Sequence, residues 1–148
     1  MTCTHKANQE IARFIEYACE HDNFIHYCGI KPVKVEEGHI TLAMDITDSL
    51  TNGYSTAHGG ALASLIDTCI GLPCFAYGKK VVTIDMTINY IKGVPLSQRA
   101  YATSTMLHLG HKAMIGEAVI TNADGEIYAK GTGSFFVVGD NNNLENHW

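Results

Sequence analysis

The stretch from Gly59 to Gly78 constrains the fold more than any other part of the chain. Nearly all of it is apolar or small, and Asp67 is its only charged residue. A helix over residues 59–76 would be apolar on almost every side, so other elements must cover most of it. A carboxylate there costs on the order of a few kcal/mol unless something uses or satisfies it. Asp67 is therefore the first candidate for a functional residue.

The same run is long enough to raise the question of a membrane span. Asp67 and Pro73 interrupt it, and strand-like segments follow it. We therefore expect a helix buried inside a soluble fold. We expect Pro73 to kink the helix or end it early, because proline removes a backbone hydrogen bond.

The segments around this helix predict strands. Before it, apolar residues at every second position from Ile40 to Ile46 indicate a half-buried strand. After it come four strand-like segments, and Asp124-Gly125 marks the last turn as a hairpin. These segments cover residues 81–91, 100–109, 113–121 and 127–138. We expect an α+β fold in which a long antiparallel sheet wraps round a central apolar helix.

Strict alternation predicts the faces of the first of these four strands. One face should carry Val82, Ile84, Met86, Ile88 and Tyr90. The other face should carry Thr83, Asp85, Thr87 and Asn89.

The two ends of the chain are predicted separately from this core. Apolar residues at helical spacing predict an amphipathic helix over about residues 8–21, capped by Asn8 and ended by His21 to Asn23. Residues 24–37 are less regular, with an extended piece at residues 32–36. Residues 139–148 are expected to be a frayed tail. We expect one domain over residues 1–148, with its core at about 24–138.

Composition excludes several classes of function. The net charge of −5 argues against general nucleic-acid binding. Five cysteines without CxxC spacing predict free thiols in a reducing, cytoplasmic compartment, and the charged N-terminal residues do not suit a signal peptide. Eight histidines occur without an HExxH pattern or a Cys/His cluster, so we expect no metal and no other cofactor.

Candidate catalytic residues flank the predicted start of the apolar helix. Asn52, His58, Gly59 and Gly60 precede Asp67. Glycines at a helix start leave backbone N–H groups free to face a developing negative charge. One acid and one such donor are the minimum that a hydrolase needs.

These residues and their spacing resemble the hotdog-fold acyl-CoA thioesterases, in the branch of the phenylacetate-pathway and thioesterase-superfamily member 2 enzymes. The resemblance covers about residues 24–138. The features that carry it are Asn52-x5-His58-Gly59-Gly60, Asp67, the strand 82–90, the turn 110–112 and the hairpin 124–126.

The resemblance implies hydrolysis of acyl-CoA thioesters by homo-oligomers. Asp67 would be the general base or the nucleophile, and Thr83 matches the Ser or Thr on the following strand. The N–H of Gly59 can donate to the thioester carbonyl. Asn52 could orient the water or the carboxylate, and His58 could fix the loop or contact the thioester.

The spacing of Gly59 and Asp67 predicts a site shared by two chains. Eight helical residues span about 12 Å. A carbonyl bound at Gly59 is then too far from a water held by Asp67 of the same chain. We expect a homodimer with antiparallel central helices, or a dimer of dimers, with Asn52, His58 and Gly59 of one subunit facing Asp67 and Thr83 of the other.

The CoA part of the substrate predicts a basic rim, because it carries phosphates. We expect the substrate to contact Gly60, Tyr90, Lys92, Gly93, His108, Gly110, His111 and Lys112. Which acyl group the pocket accepts depends on side chains such as Tyr54, Phe75 and Met86.

Three alternatives remain open at this point. One is a hotdog enoyl-thioester hydratase, although its Asp-x-Asn-Pro-x-His segment is missing. Another is a non-catalytic acyl-CoA-binding module, for which loss of the acid would be expected. A third uses Cys28, Cys69 or Cys74 as a nucleophile, although none has an evident His partner. No Gly-x-Ser-x-Gly elbow indicates a serine hydrolase.

Overall fold

The computed structural model describes residues 6–148. These residues form one sheet that wraps round a central helix. Its elements in chain order are α1 Lys6–His21, α2 Asn23–Cys28, β1 Lys31–Glu36, β2 His39–Asp45, α3 Gly59–Ala76, β3 Lys79–Tyr90, β4 Arg99–Leu109, β5 Ala113–Thr121 and β6 Ile127–Asp140. The six strands form one antiparallel sheet in the order β1-β2-β4-β5-β6-β3. The predicted α+β architecture is confirmed.

Helix α3 fills the core that the sheet surrounds. Its Leu65, Ile66, Cys69 and Ile70 have no solvent exposure, and it packs against β2, β3, β4, β5 and β6. The length and composition of α3 would also suit a membrane span. The core helix of a wrapped sheet has the same composition, because it too must be apolar on most sides.

The expectation that Pro73 ends α3 early is wrong. The helix continues to Ala76, and the N–H of Tyr77 donates to Pro73 O at 3.1 Å. Pro73 and its neighbours Leu72 and Cys74 are buried. Packing of this kind contributes most of the stability of a protein helix, so it outweighs one missing hydrogen bond.

The predicted faces of β3 are wrong because a bulge interrupts the strand. Thr83 pairs with Phe135 and Asp85 pairs with Ser134, which leaves Ile84 as an extra residue. A bulge shifts the inward and outward positions by one residue. Val82 and Ile84 are therefore 52% and 59% exposed, whereas Met86 and Ile88 pack against the core. Both Thr83, before the bulge, and Tyr90, after it, reach α3.

The N-terminal segment contains two helices rather than one. Helix α1 begins before Asn8, whose side chain accepts a hydrogen bond from the Trp148 indole instead of capping the helix. Helix α1 ends at His21, as predicted, but Asp22 then caps a second helix, α2, by accepting hydrogen bonds from the N–H groups of Phe24 and Ile25 at 3.0 Å each. The extended piece at residues 32–36 is confirmed as part of β1.

The expectation of a frayed tail is also wrong. Strand β6 runs to Asp140, and the residues after it pack against the end of α3. The Asn141 side chain donates to Phe75 O at 3.0 Å, and the Trp148 N–H donates to Ala76 O at 3.0 Å. The last carbonyls of a helix lack intrahelical hydrogen-bond donors, and here residues of the tail donate to two of them.

Candidate functional site

Asp67 and Thr83 form a hydrogen-bonded pair at the rim of the core. Asp67 lies in the middle of α3 and Thr83 lies on β3, and the Thr83 hydroxyl donates to Asp67 Oδ1 at 2.7 Å. Asp67 is half-buried and lines two adjoining grooves of about 380 and 400 Å³. The carboxylate thus has one partner from β3 and open space in front of it, which is the arrangement that a general base or nucleophile needs.

The start of α3 leaves one backbone donor available. His58 is the N-cap, and its Nδ1 accepts a hydrogen bond from the Gly60 N–H at 2.8 Å, which places the ring proton on Nε2. The N–H groups of Ala61 and Leu62 both donate to His58 O. Within residues 6–148 the N–H of Gly59 has no acceptor. Gly59, and not Gly60, is therefore the candidate oxyanion donor.

Tyr90 closes the space around Gly59. Its hydroxyl donates to Gly59 O at 2.8 Å, and a Cβ on Gly59 would lie 3.4 Å from the Tyr90 ring. The contact ties the end of β3 to the start of α3, and a side chain larger than a methyl group at position 59 would crowd the ring.

Asn52 organises the loop that leads into α3. Its Oδ1 accepts hydrogen bonds from the N–H groups of Tyr54 and Thr56 at 2.8 and 3.3 Å, and its Nδ2 donates to Thr56 Oγ1 at 2.9 Å. This is an Asx-type turn. Asn52 therefore positions the loop, and it does not contact Asp67 of its own chain.

The candidate residues form two separate clusters in one chain. Gly59 shares a cavity of about 270 Å³ with Asn52, Tyr90, Lys92 and Gly93. Asp67 and Thr83 line the other two grooves and are absent from this cavity. Gly59 and Asp67 are separated by about 12 Å of helix. One chain does not bring its donor and its acid together.

The residues of the predicted basic rim lie at opposite ends of β3. Lys92 follows the end of this strand and forms an ion pair with Glu126. The β4–β5 turn lies near the start of β3, because Ala113 pairs with Phe136, which pairs with Val82. That turn carries the remaining rim candidates His108, Gly110, His111 and Lys112, and none of them lines the grooves around Asp67 or Gly59.

The described cysteines are poor nucleophiles. Burial raises the pKa of the Cys69 and Cys74 thiols to about 12, and that of Cys19 to about 12 as well. Burial also raises the pKa of Cys28. The thiolate is the reactive form and is scarce near neutral pH at such values, so the thiol alternative loses support.

A cavity larger than the grooves at Asp67 and Gly59 lies away from the motif. It measures about 850 Å³, lies between α1 and β1, and is lined by Glu16, His21, His26 and Lys31, among others. It contains none of the candidate catalytic residues. The smaller grooves are the candidates for the active site, because they hold the candidate acid and the candidate oxyanion donor, whereas this larger open cleft does not.

Sequence reasoning missed one residue beside Asp67. Phe24 lines both grooves that contain Asp67 and Thr83, and α2 carries it there. The capping residue Asp22, directly before the segment Asn23–Cys28, was the signal that could have found this helix.

Comparison with known proteins places this chain in a family. Residues 54–129 match the sequence model of the thioesterase superfamily. Human acyl-coenzyme A thioesterase 13 is 28% identical over 127 residues, covering 83% of this chain and 91% of the human protein. The structure of the E. coli PaaI protein, from the phenylacetic acid degradation operon, superimposes with a TM-score of 0.84 at 24% identity, over 91% of this chain and 98% of that one.

A hypothetical thioesterase protein from Streptococcus pneumoniae, solved with coenzyme A, has a TM-score of 0.71 at 31% identity. The match covers 75% of this chain and 90% of that one. An Asp→Ala and a Thr→Ala mutant of that protein have also been solved, and the two altered positions have the same separation in sequence as Asp67 and Thr83. The chain belongs to the thioesterase superfamily, as a thioester hydrolase with the hotdog fold.

Proposed function

We propose that this chain hydrolyses acyl-CoA thioesters to a free acid and CoA. The observation that carries the proposal is the Asp67–Thr83 pair, which faces an open groove in a protein of the thioesterase superfamily. The human relative is named as an acyl-coenzyme A thioesterase, and the streptococcal relative was solved with coenzyme A. Both names support CoA as the thiol carrier.

Gly59 supplies the electrostatic part of the mechanism. Its free N–H, at the positive end of α3, donates to the thioester oxygen as negative charge develops there. Removing a donor of this kind typically costs about 3 kcal/mol of transition-state stabilisation. Tyr90 holds the Gly59 carbonyl, on the peptide unit next to the one that carries the donor, and so helps to position Gly59 before substrate arrives.

Asp67 supplies the nucleophilic part by one of two routes. It deprotonates a water that attacks the carbonyl carbon, or it attacks that carbon itself and forms a mixed anhydride that water then cleaves. In both routes the carbon–sulfur bond breaks and CoA leaves as the thiolate, which takes up a proton. The Thr83 hydroxyl fixes the carboxylate by donating to one of its oxygens.

The reacting pair comes from two chains in this proposal. Strand β3 is an edge strand, and it exposes Val82, Ile84 and Tyr90. A long exposed apolar edge is a surface on which another strand can pair. Antiparallel pairing of two β3 strands about a two-fold axis would set the start of one strand beside the end of the other. Asp67 would then act opposite Gly59 of the partner subunit.

The same arrangement would join the two halves of the basic rim. Lys92 of one subunit would approach the β4–β5 turn of the other, where Lys112 and His111 lie. This supports CoA phosphates as the ligands of these residues. Each of them is exposed and would attract a phosphate only weakly by itself, so the rim depends on their combined charge.

The test is thiol release from a series of acyl-CoAs of varied length and aromaticity. We expect hydrolysis by the parent and almost none by Asp67→Asn. Absence of thiol release from every member by the folded protein would contradict the proposal. Single-turnover hydrolysis in heavy-oxygen water, with label sought on Asp67, separates the two routes: label on the carboxylate identifies the nucleophile.

A further inference from the structure

The larger of the two grooves at Asp67 continues well beyond the carboxylate. This acyl groove, of about 400 Å³, is lined by Asp67, Gly71, Phe75, Thr83, Phe135 and Phe24. Its volume lies in the range of small-molecule sites. Asp67, Gly71 and Phe75 are spaced by four residues and so share one face of α3, which gives the groove a length of about 12 Å.

The polarity of the acyl groove changes along its length. Its polar end carries Asp67, Thr68 and Thr83, whereas Leu72, Phe75 and Val81 line the part beyond it. Phe75 lies two helical turns from Asp67, and its ring packs on Phe14 of α1 at a centroid distance of 6.1 Å. A ligand with a reactive polar end at Asp67 and an apolar tail would match this gradient.

Phe24 stands over the acyl groove as an exposed aromatic side chain. It is 58% exposed, and α2 holds it in place through the Asp22 cap and the left-handed Gly29 at the other end. The Asp22 side chain also lines the groove, but it is engaged by the N–H groups of Phe24 and Ile25. An apolar ligand beneath Phe24 would remove its ring from water.

Gly71 sets the width of the acyl groove one turn beyond Asp67. A Cβ on Gly71 would lie 3.4 Å from Phe135 Cε1, and both residues line the groove. A methyl group would fit there with ordinary contact, whereas a leucine side chain would fill the passage between α3 and Phe135.

We propose that the acyl group of the substrate is an extended apolar chain lying along α3 from Asp67 towards Phe75, and that Gly71 and Phe24 select its length. Gly71 does so by leaving the passage open, and Phe24 by covering the chain. The inference rests on the proposed function, and it adds the class of acyl group and the two residues that determine it.

The first experiment narrows the acyl groove. We compare Gly71→Leu with the parent on straight-chain acyl-CoAs from acetyl to decanoyl and measure kcat/KM for each. We expect the octanoyl-to-acetyl ratio to fall about tenfold or more, because only the longer chain must pass position 71. Gly139→Leu is the matched control, since a Cβ there meets nothing within 4 Å.

The second experiment removes the Phe24 ring that lies over the acyl groove. Phe24→Ala should lower the same ratio by about tenfold through a higher KM for octanoyl-CoA. Phe136→Ala is the control, because Phe136 is 48% exposed and lies outside the acyl groove. If Gly71→Leu fails to fold, Gly71→Ala should still shift the ratio in the same direction by a smaller factor.

The outcomes separate this inference from the proposed function. If the parent hydrolyses acyl-CoAs and the variants lower all chain lengths equally, or none, the acyl groove does not select the chain. If the folded parent releases no CoA from any substrate, the proposed function fails and this inference fails with it.

Discussion

The Thr83 hydroxyl donates a hydrogen bond to the Asp67 carboxylate across 2.7 Å, from an edge strand to the central helix. This contact depends on the bulge at Ile84, which lets Thr83 and Tyr90 both reach α3 from the same strand. The acid and the candidate oxyanion donor are therefore each fixed by β3, at two points along it.

The roles proposed for Asp67 and Thr83 predict different losses of activity. Asp67→Asn should lower kcat by about 10² to 10⁴, the usual contribution of a general base. Thr83→Ala should lower it by about tenfold, because it removes one hydrogen bond to a charged group, whereas Thr83→Ser should retain most activity. Asp124→Asn, in the exposed β5–β6 hairpin, is the matched control. Equal activity of Thr83→Ala and Thr83→Ser would rule out the hydroxyl's role.

The shared site predicts complementation between two inactive variants. Asp67→Asn and Gly59→Val should each be inactive alone, but dimers that contain one chain of each keep one intact pair. Random mixing should restore about a quarter of the parental activity, since half of the dimers are mixed and each has one working site. The measurement is kcat after co-expression with two tags. Zero activity in purified mixed dimers would place the whole site in one chain.

The raised thiol pKa values predict resistance to alkylation. Cys19, Cys69 and Cys74 have pKa values of about 12 because of burial, so at about pH 8 almost none is thiolate. Cys3 lies outside the described residues, and a Cys3→Ser background removes it from the test. Iodoacetamide should then leave thioester hydrolysis unchanged, with mass spectrometry reporting no adduct at Cys19, Cys69 or Cys74. Inactivation that follows a single adduct would revive the cysteine alternative.

The docked tail predicts a pH-dependent signal from Trp148, the single tryptophan. The Glu10 carboxylate accepts hydrogen bonds from the Asn146 side chain and the Glu145 N–H, which lower its pKa below the usual 4.5. Because the pKa of Glu10 is lowered, these hydrogen bonds stabilise the docked tail at pH values above 4.5. This stabilisation is lost as the pH falls through the lowered pKa.

Lowering the pH from 4.5 through the lowered pKa of Glu10 should release the tail. Release should shift Trp148 emission to the red and increase acrylamide quenching. In Glu10→Gln the change in this range should disappear, whereas Glu20→Gln, on the exposed side of α1, should behave like the parent. An identical acid transition in Glu10→Gln would show that Glu10 does not hold the tail.

Much of the fold follows from sequence pattern because burial imposes periodicity. The apolar run with Asp67 predicted a covered central helix, and alternation predicted most strands, since side chains on a strand must alternate between core and solvent. The bulge at Ile84 broke that rule, and it depends on how β3 pairs with β6, which alternation alone does not encode. Pro73 is tolerated for a similar reason: its cost is local, whereas the packing that offsets it comes from distant strands.

The sequence by itself determined the chemical groups: an acid in an apolar helix, a Gly-Gly helix start with His58 before it, and a Thr on the next strand. Only the tertiary structure decided which of them meet. It paired Thr83 with Asp67 and brought Phe24 over the groove. It also bonded the Gly60 N–H to His58 and left the Gly59 N–H without an acceptor among residues 6–148. The physical reason is that composition and periodicity are local properties of a chain, whereas hydrogen-bond partners are set by segments far apart in sequence that the core brings together.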